Sequence, residues 1–514
     1  MKIRFKGLLT WAALVASGGV AMAQAPYEPN QFSNEPVPVQ LDANTDLITR
    51  LEAAEARLRE LESRQQATPA AMPVSSGSSN LAFLNGGSVV DELDDLTAQV
   101  ESNSEAISGL KDSLGERVRS GHSASTMKIS GRVHADYWSF PDSSPAANAF
   151  ESGDPMSDPE DRIGFRRLRF GVAGDVSDNM RYKIEMEFAG GNDVTMKDAY
   201  LGFADLPFLQ EVLIGNQKRP YGLDHINSSR YNVFLERPFI VEALNQDARR
   251  LGICSYGVSD DQRYNWRFGA YNQVDPQGSG HYLGDAYQSE FAGRFANTIW
   301  YDETSGGRGY AHWAVSGSYA DPTSGSATSA RFRTRPEART ESRWIDTGQL
   351  MNCSDYMLGG VEGVINVGRL QAVGELMAVD VDQLGANPHL QFHGGYVYVA
   401  YFLTGEHMPW ERASGQLGRI KPFENFWRVR DSQGDIRQGL GAWQLAARYS
   451  YADFTDQNVM GGVGQSFTGG LNWYWNPYAR MQFGYSYGKI DERSVAGQTG
   501  GDYHTIGTRF MIDF

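Results

Sequence analysis

From residue 127 to the last residue, apolar side chains recur at every second position, which limits this stretch to strands with two unlike faces. Between Met127 and Tyr137 one face carries Met127, Ile129, Val133, Ala135 and Tyr137, and the other Lys128, Ser130, Arg132, His134 and Asp136. Tyr182, Ile184, Met186 and Phe188 alternate with Lys183, Glu185 and Glu187. Met481, Phe483, Tyr485 and Tyr487 alternate with Gln482, Gly484, Ser486 and Gly488. Such segments run about ten residues between clusters of Gly, Asp, Asn and Pro, as membrane-crossing strands do. A soluble sandwich alternates as well. Three features favour the membrane: aromatic-heavy apolar faces such as Leu471, Trp473 and Trp475, an export leader, and a last strand whose apolar face is Ile506, Phe510, Ile512 and Phe514. A final strand that pairs with the first closes the wall and removes both edges. The expected fold is all-β, a transmembrane antiparallel β-barrel over residues 127–514. Residues 396–403 break the pattern by being apolar on both faces, which a subunit contact or a filled interior would each explain.

Ahead of the barrel the chain divides into three expected parts. Residues 1–23 read as a signal peptide: Lys2, Arg4 and Lys6, a short apolar run from Leu8 to Val15, and a small-residue cleavage site at Ala21-Met22-Ala23. Beyond them no apolar run is long enough for a bilayer-crossing helix. Residues 24–43, rich in Pro, Gln and Asn, are expected to be disordered. Residues 44–120 carry heptads through Leu47, Leu51, Ala54, Leu58 and Leu61, and after a Pro/Ser/Gly break at 67–80 through Val89, Leu93, Leu96, Val100, Asn103, Ile107, Leu110 and Leu114. This is the seam of an α-helical coiled coil, with Asn103 fixing register or oligomer state, and it implies a homo-oligomer. A lone amphipathic helix packed on a domain is the alternative. Because it precedes the first strand, the region is expected on the periplasmic side of an outer-membrane barrel.

Aromatic residues make up 12% of the chain and Gly reaches 57, a mixture that suits strands apolar on one side only. Cys254 and Cys353 are too few for a disulfide framework, although one bridge is open to them. The net charge of −16 argues against a nucleic-acid partner but leaves room for a local basic pore. No enzyme, cofactor or metal site is expected. Residues 484–488 spell GxSxG, yet inside an alternating strand rather than at a strand-to-helix turn. His389 and His393 lack a third ligand, and the acidic stretch from Asp154 to Asp161 lacks calcium-loop spacing.

One arginine motif suggests chemistry without any comparison. Arg331, Arg333 and Arg335 project to one side of an extended segment, about 6–7 Å apart, and Arg339 extends the row. Planar guanidinium forks can hand a phosphate from one bidentate contact to the next. Conduction needs sites that attract yet release, which a row of similar sites provides. The alternative is a surface loop neutralising lipid phosphates or the nearby Glu337 and Glu341. In RRLRF, Arg167 and Arg169 share the polar face, whereas Arg166 falls on the apolar side, as a side chain snorkelling at a membrane boundary would. Salt bridges to Glu185 and Glu187 are the plainer use of this group.

Seven stretches in order resemble the phosphate- and polyphosphate-selective porin O and P family: GNQKRP at 215–220, SSRYNVFLERP at 228–238, RFRTRPEAR at 331–339, WIDTG at 344–348, LTGE at 403–406, GAWQLAARYS at 441–450 and GLNWYW at 470–475. The resemblance implies a barrel of about sixteen strands in a homotrimer of separate pores. It implies an arginine ladder at Arg331, Arg333, Arg335 and Arg339, joined by Arg166 and Arg167, so face and resemblance disagree about Arg166. It further implies that Lys218 and Arg230 line a narrow central site. The sequence departs there, since Lys218 is the only lysine between 198 and 420, with Arg219 as a partial substitute.

These observations set out an expected function: a passive, anion-preferring porin for phosphate or polyphosphate, with small anions and outer-membrane lipid as partners. One rival is a carbohydrate or general-diffusion porin, in which Trp and Tyr stack on sugar rings. The other is a tether from outer membrane to cell wall through the coiled coil.

Overall fold

A strand that alternates apolar and polar residues must bury one face, and which face is buried tells the solvent. In the computed structural model of this chain, which describes residues 125–190, 193–245, 248–274, 287–322, 329–430 and 436–514, the polar face is the buried one. Arg132, His134 and Asp136 are buried, whereas Ile129 and Tyr137 from the same strand are exposed. At the far end Arg509 is 2% exposed while Phe467, on the apolar face of the next strand but one, is 60% exposed. Polar inside and apolar outside inverts the order of a soluble domain and fits a wall with lipid around it.

Sixteen strands pair antiparallel, each with its neighbour in sequence, into one closed barrel. They are β1 (Lys128–Ser139), β2 (Arg162–Ser177), β3 (Met180–Glu187), β4 (Thr195–Leu206), β5 (Gln210–Lys218), β6 (Arg249–Val258), β7 (Tyr264–Asn272) and β8 (Ser289–Tyr301). The rest are β9 (Gly309–Ala320), β10 (Cys353–Val367), β11 (Leu370–Gln383), β12 (Leu390–Phe402), β13 (Ala442–Asp456), β14 (Val459–Asn476), β15 (Ala479–Arg493) and β16 (Gly501–Asp513). β16 closes on β1 from Arg132↔Asp513 to Ser139↔Ile506. Beyond that ladder Gly131 and Phe514 exchange two backbone hydrogen bonds of 3.0 and 3.1 Å. The expected antiparallel barrel is thus present, and its last strand turns Ile506, Phe510, Ile512 and Phe514 outward. The leader, the 24–43 segment and the 44–120 coiled coil lie outside the described residues.

The two rims differ. At the rim holding the first and last barrel residues, most connections are tight, such as 178–179, 368–369 and 477–478. The exception is 403–441. The opposite rim carries the longer connections 140–161, 219–248 and 321–352. In the first of these, α1 (Pro145–Ser152) is capped by Ser144 and holds the 321–352 connection by its Glu151. That carboxylate accepts from the Glu341 N–H at 2.8 Å and the Trp344 indole at 2.9 Å.

Described parts of three long connections fold into the barrel and fill much of it. The 219–248 segment carries α2 (Leu223–Ile226) and α3 (Phe239–Leu244), and Phe239, Ile240 and Val241 are fully buried. They join Trp344 and Ile345 from 321–352 and the wall residues Phe392 and Phe454 in one apolar cluster. The inward residues of 396–403 belong to it: Tyr396, Tyr398, Ala400 and Phe402 are buried, with Tyr398 edge-on to Phe234 at 5.4 Å. A filled interior therefore accounts for that doubly apolar strand. From the tight-turn rim, residues 403–420 enter as well, and Trp410 stacks on Tyr310 at 5.3 Å beside His312 at 4.5 Å.

Wall glycines make room for these arms. A Cβ on Gly484 would sit 2.8 Å from Leu235 Cδ1, and one on Gly464 would sit 2.5 Å from Ile345 Cδ1. Gly484 belongs to the GxSxG string, whose Ser486 lies mid-strand opposite Thr468 and shares a 2.9 Å hydrogen bond with its hydroxyl. Both cysteines are buried free thiols. Gly484→Val should therefore force Leu235 off the wall at a cost of about 1–3 kcal/mol. Gly469→Val, where a Cβ meets nothing within 4 Å, should be nearly neutral. The temperature at which the folded band is lost on a cold SDS gel measures both.

Candidate functional site

The lumen wall is rich in arginine, and much of that charge grips the inward chain by its backbone. Arg509 forms a two-pronged pair with Asp136 at 2.6 Å on each prong, reaches Glu236 at 2.7 Å and donates to the Leu235 carbonyl. Arg448 donates to the Glu236 carbonyl at 2.9 Å and pairs with Glu337 at 2.6 Å. Arg480 donates to the Asn232 carbonyl at 2.8 Å, while Asn472 and Gln482 donate to that of Val233 at 2.9 and 3.1 Å. An irregular segment inside a barrel has no ladder to satisfy its carbonyls, and these side chains replace one.

Two β-bulges shape the adjoining wall. His134 pairs with Arg167 but Ala135 pairs with Phe165, so Arg166 is the extra residue of β2. A bulge lets two consecutive residues leave the same face. Arg166 accordingly turns inward and makes a two-pronged pair with Glu236, at 2.6 and 2.9 Å. The expectation that Arg166 sits on the apolar side is corrected: strand parity breaks at this bulge. β4 is irregular in the same way, where Ile184 pairs with Ala199 and Met186 with Met196. Beside that break Lys197 stands within electrostatic reach of Arg169, Arg249 and Arg167.

The 331–339 segment keeps its two-residue rhythm. Phe332, Thr334 and Pro336 are buried, while Arg331, Arg333 and Arg335 face the other way. Arg333–Thr334 pairs with Ile345–Asp346 as a short ribbon. Arg331 forms a two-pronged pair with Asp346, one prong at 2.8 Å. Arg335 meets Glu242 at 3.1 Å and donates to the Thr340 carbonyl at 2.8 Å. The neutralising partners are thus not Glu337, which is taken by Arg448, nor Glu341, which lies 3.7 Å from Arg162. Arg339 has no carboxylate within 4.0 Å among the described residues. Burial first, then the cations Arg166 and Arg335, push its guanidinium down to about 10, so it stays charged at neutral pH.

Neighbouring charges in electrostatic contact run from the long-connection rim inward: Arg331 with Arg493, Arg335 and Arg166 with Arg339, Arg166 with Arg167, and Arg167 with Lys197. Of these, Arg331, Arg335 and Arg166 hold carboxylate partners. Arg169, on the same wall, is taken by Glu185 and Glu187 at 2.8 and 2.7 Å, as the salt-bridge alternative foresaw. Arg167 touches only His134, at 3.5 Å, among the described residues.

Lys218 and Arg230 stand apart from this row. The Lys218 ammonium gives its three hydrogens to the carbonyls of His225, Ile226 and Asn227, at 2.9–3.0 Å. At the other end of α2, Glu375 accepts from the Leu223 and Asp224 N–H groups at 2.8 and 2.7 Å. Carboxylate at the start and ammonium at the end satisfy the open backbone groups of a one-turn helix. Arg230 pairs with Asp513 at 3.0 Å, near barrel closure, and Arg219 pairs with Glu290 at 2.8 Å.

Residues 127–514 match the family model described as phosphate-selective porin O and P. The chain belongs to that family. It is an outer-membrane porin, and its lumen is a channel rather than a site of bond chemistry. An uncharacterised protein of Caulobacter vibrioides is 26% identical over 359 residues, 68% of each chain. The trimer form of OmpT, an outer-membrane protein of Vibrio cholerae, is 14% identical with a TM-score of 0.47, over 76% of this chain and 100% of its own. An anion-selective porin from Comamonas acidovorans is 12% identical with a TM-score of 0.45, over the same 76% and 100%. Neither likeness bears on what passes through this porin.

Sequence reasoning missed Lys197, Arg448, Arg480 and Arg509. Parity alone points the last three inward, for Arg509 stands opposite Phe510 on its own strand. Lys197 lies one residue before the 198–420 stretch in which Lys218 is the only lysine. The Glu236 pairs give a pH test. Burial raises that carboxyl, but Arg166 and then Arg509 outweigh it and hold it well below the usual range. A depressed carboxyl contributes stability above its unfolded value of about 4, lost as pH falls through the folded one. Glu236→Gln leaves Arg166 without its carboxylate partner, while Arg509 keeps Asp136, and should cost about 3–5 kcal/mol at pH 7. The gap in gel-shift temperature between parent and variant should narrow below a pH of about 4.

Proposed function

We propose that this porin is a passive, anion-preferring diffusion channel, with inorganic phosphate or polyphosphate as its leading solute. The observation that carries the reading is the run of cations Arg335, Arg339, Arg166, Arg167 and Lys197, with Arg331 beside Arg493 nearer the long-connection rim. Three of its members, Arg339, Arg167 and Lys197, have no carboxylate within 4.0 Å among the described residues. An entering anion exchanges hydration for guanidinium donors at each step. The carboxylates on the other rungs compete for the same forks, which keeps every stop weak enough to leave. Arg333 belongs to this row, while Lys218 and Arg230 act by positioning α2 and the closing strand.

We further propose that the 44–120 region lies in the periplasm and serves a homotrimer. The rival carbohydrate porin has less behind it, because the cavity bordered by Phe234, Tyr396, Tyr398, Asn232 and Asp224 holds about 10 Å³, room for a water molecule and not for a sugar ring.

Single-channel recording in KCl with added phosphate separates the two. Phosphate should reduce chloride conductance in the parent. With Arg331, Arg333 and Arg335 all changed to Ala, the half-blocking concentration should rise roughly tenfold, about 1.4 kcal/mol. Arg339→Ala alone should weaken block by a smaller factor. Block by a neutral oligosaccharide with no effect of phosphate in the parent would favour the sugar channel.

A further inference from the structure

The described residues of the 403–441 connection leave the lumen and return to the barrel from outside. Arg419 marks the exit, pairing with Asp513 and donating to the Pro477 carbonyl at 2.6 Å. The chain then lies against the outward tryptophans of β14. The Phe426 N–H donates to the Trp475 carbonyl at 2.6 Å, and the Phe426 ring meets Trp473 at 4.6 Å and Trp475 at 5.8 Å. A small hairpin follows, Trp427–Arg430 paired with Ile436–Gly439. At its far root the indoles of Trp443 and Trp473 both donate to the Leu440 carbonyl, at 3.2 and 2.9 Å. Both roots are therefore fastened to the aromatic belt on the outer wall.

Among the described residues, four apolar side chains between those roots find no cover. Phe423, Trp427, Ile436 and Leu440 are 67%, 59%, 53% and 65% exposed, with the exposed cations Lys421 and Arg428 among them. Trp427 also sits at φ +77°, a left-handed conformation that costs a residue with a side chain about 1–2 kcal/mol.

We propose that this hairpin docks on the phospholipid headgroup layer at the tight-turn rim. Phe423, Trp427, Ile436 and Leu440 enter the interfacial zone, and Lys421 and Arg428 meet lipid phosphates. Continuity with the lipid-facing belt argues for lipid: Trp473 is part of the outer wall and holds the hairpin directly. The amphipathic indole prefers the headgroup depth, and basic side chains beside it suit anionic lipid. The proposal is independent of which solute the lumen passes.

The test uses the full chain in phosphatidylethanolamine/phosphatidylglycerol bilayers at low protein density. Spin labels are placed at Phe423→Cys and, as a separate variant, Ile436→Cys, the two native thiols being buried. Collision with oxygen and with a water-soluble nickel chelate is compared with labels at Phe467→Cys in the lipid band and Asp260→Cys on an exposed turn. Both hairpin labels should fall between these references, with nickel access several-fold below that of the turn label. Access equal to the turn label at both sites would overturn the proposal. Spin–spin broadening that persists on dilution in lipid would overturn it too, since a second copy would then cover the hairpin.

Discussion

Inside a bilayer no water satisfies a backbone amide, so every N–H and C=O that crosses must find a partner within the wall. Closing β16 onto β1 meets that demand along the whole circumference, and the Gly131–Phe514 bonds finish it at the last residue. The rest of the architecture follows. Each strand must show apolar side chains to lipid, which leaves the opposite face free to be polar. That freedom concentrates arginine and glutamate in the lumen and makes long inward connections tolerable. The wall arginines then solve the problem those connections create. Arg509, Arg448 and Arg480 take the carbonyls of residues 232–236, which no ladder can reach.

The same charges serve structure and passage in different proportions. On the β13–β16 side, guanidinium groups are spent on carbonyls and on Asp136 and Glu337. Breaking such a buried pair is costly because the surviving charge has no water to turn to. On the β2–β4 side, the bulge at Arg166 brings a cation to Glu236, and Lys197, beside the next irregularity, has no carboxylate within 4.0 Å among the described residues. The net charge of −16 is silent on this, because it sums the whole chain and the lumen field depends on a few enclosed groups.

Parity made the barrel legible in the sequence. Met127 to Tyr137 and the final strand sort onto their faces as the alternation requires. What parity hides is its own interruption: one extra residue in β2 reverses the assignment of Arg166, and no local signal in RRLRF marks the bulge. The resemblance to known porins placed Arg166 among the inward arginines where facing alone did not. The use of Lys218 was hidden for another reason, since its carbonyl partners come from a one-turn helix that forms only once the 219–248 segment is folded inward. The doubly apolar 396–403 stretch did carry information. Apolar residues on the lumen face of a strand meant that chain packs inside.

The central claim is that enclosed cations outweigh enclosed carboxylates along the route of a solute. The zero-current potential of the unmodified porin in a planar bilayer, held across a steep KCl gradient, tests it most directly. A potential whose sign follows chloride is what the account predicts. A potential whose sign follows potassium would contradict it.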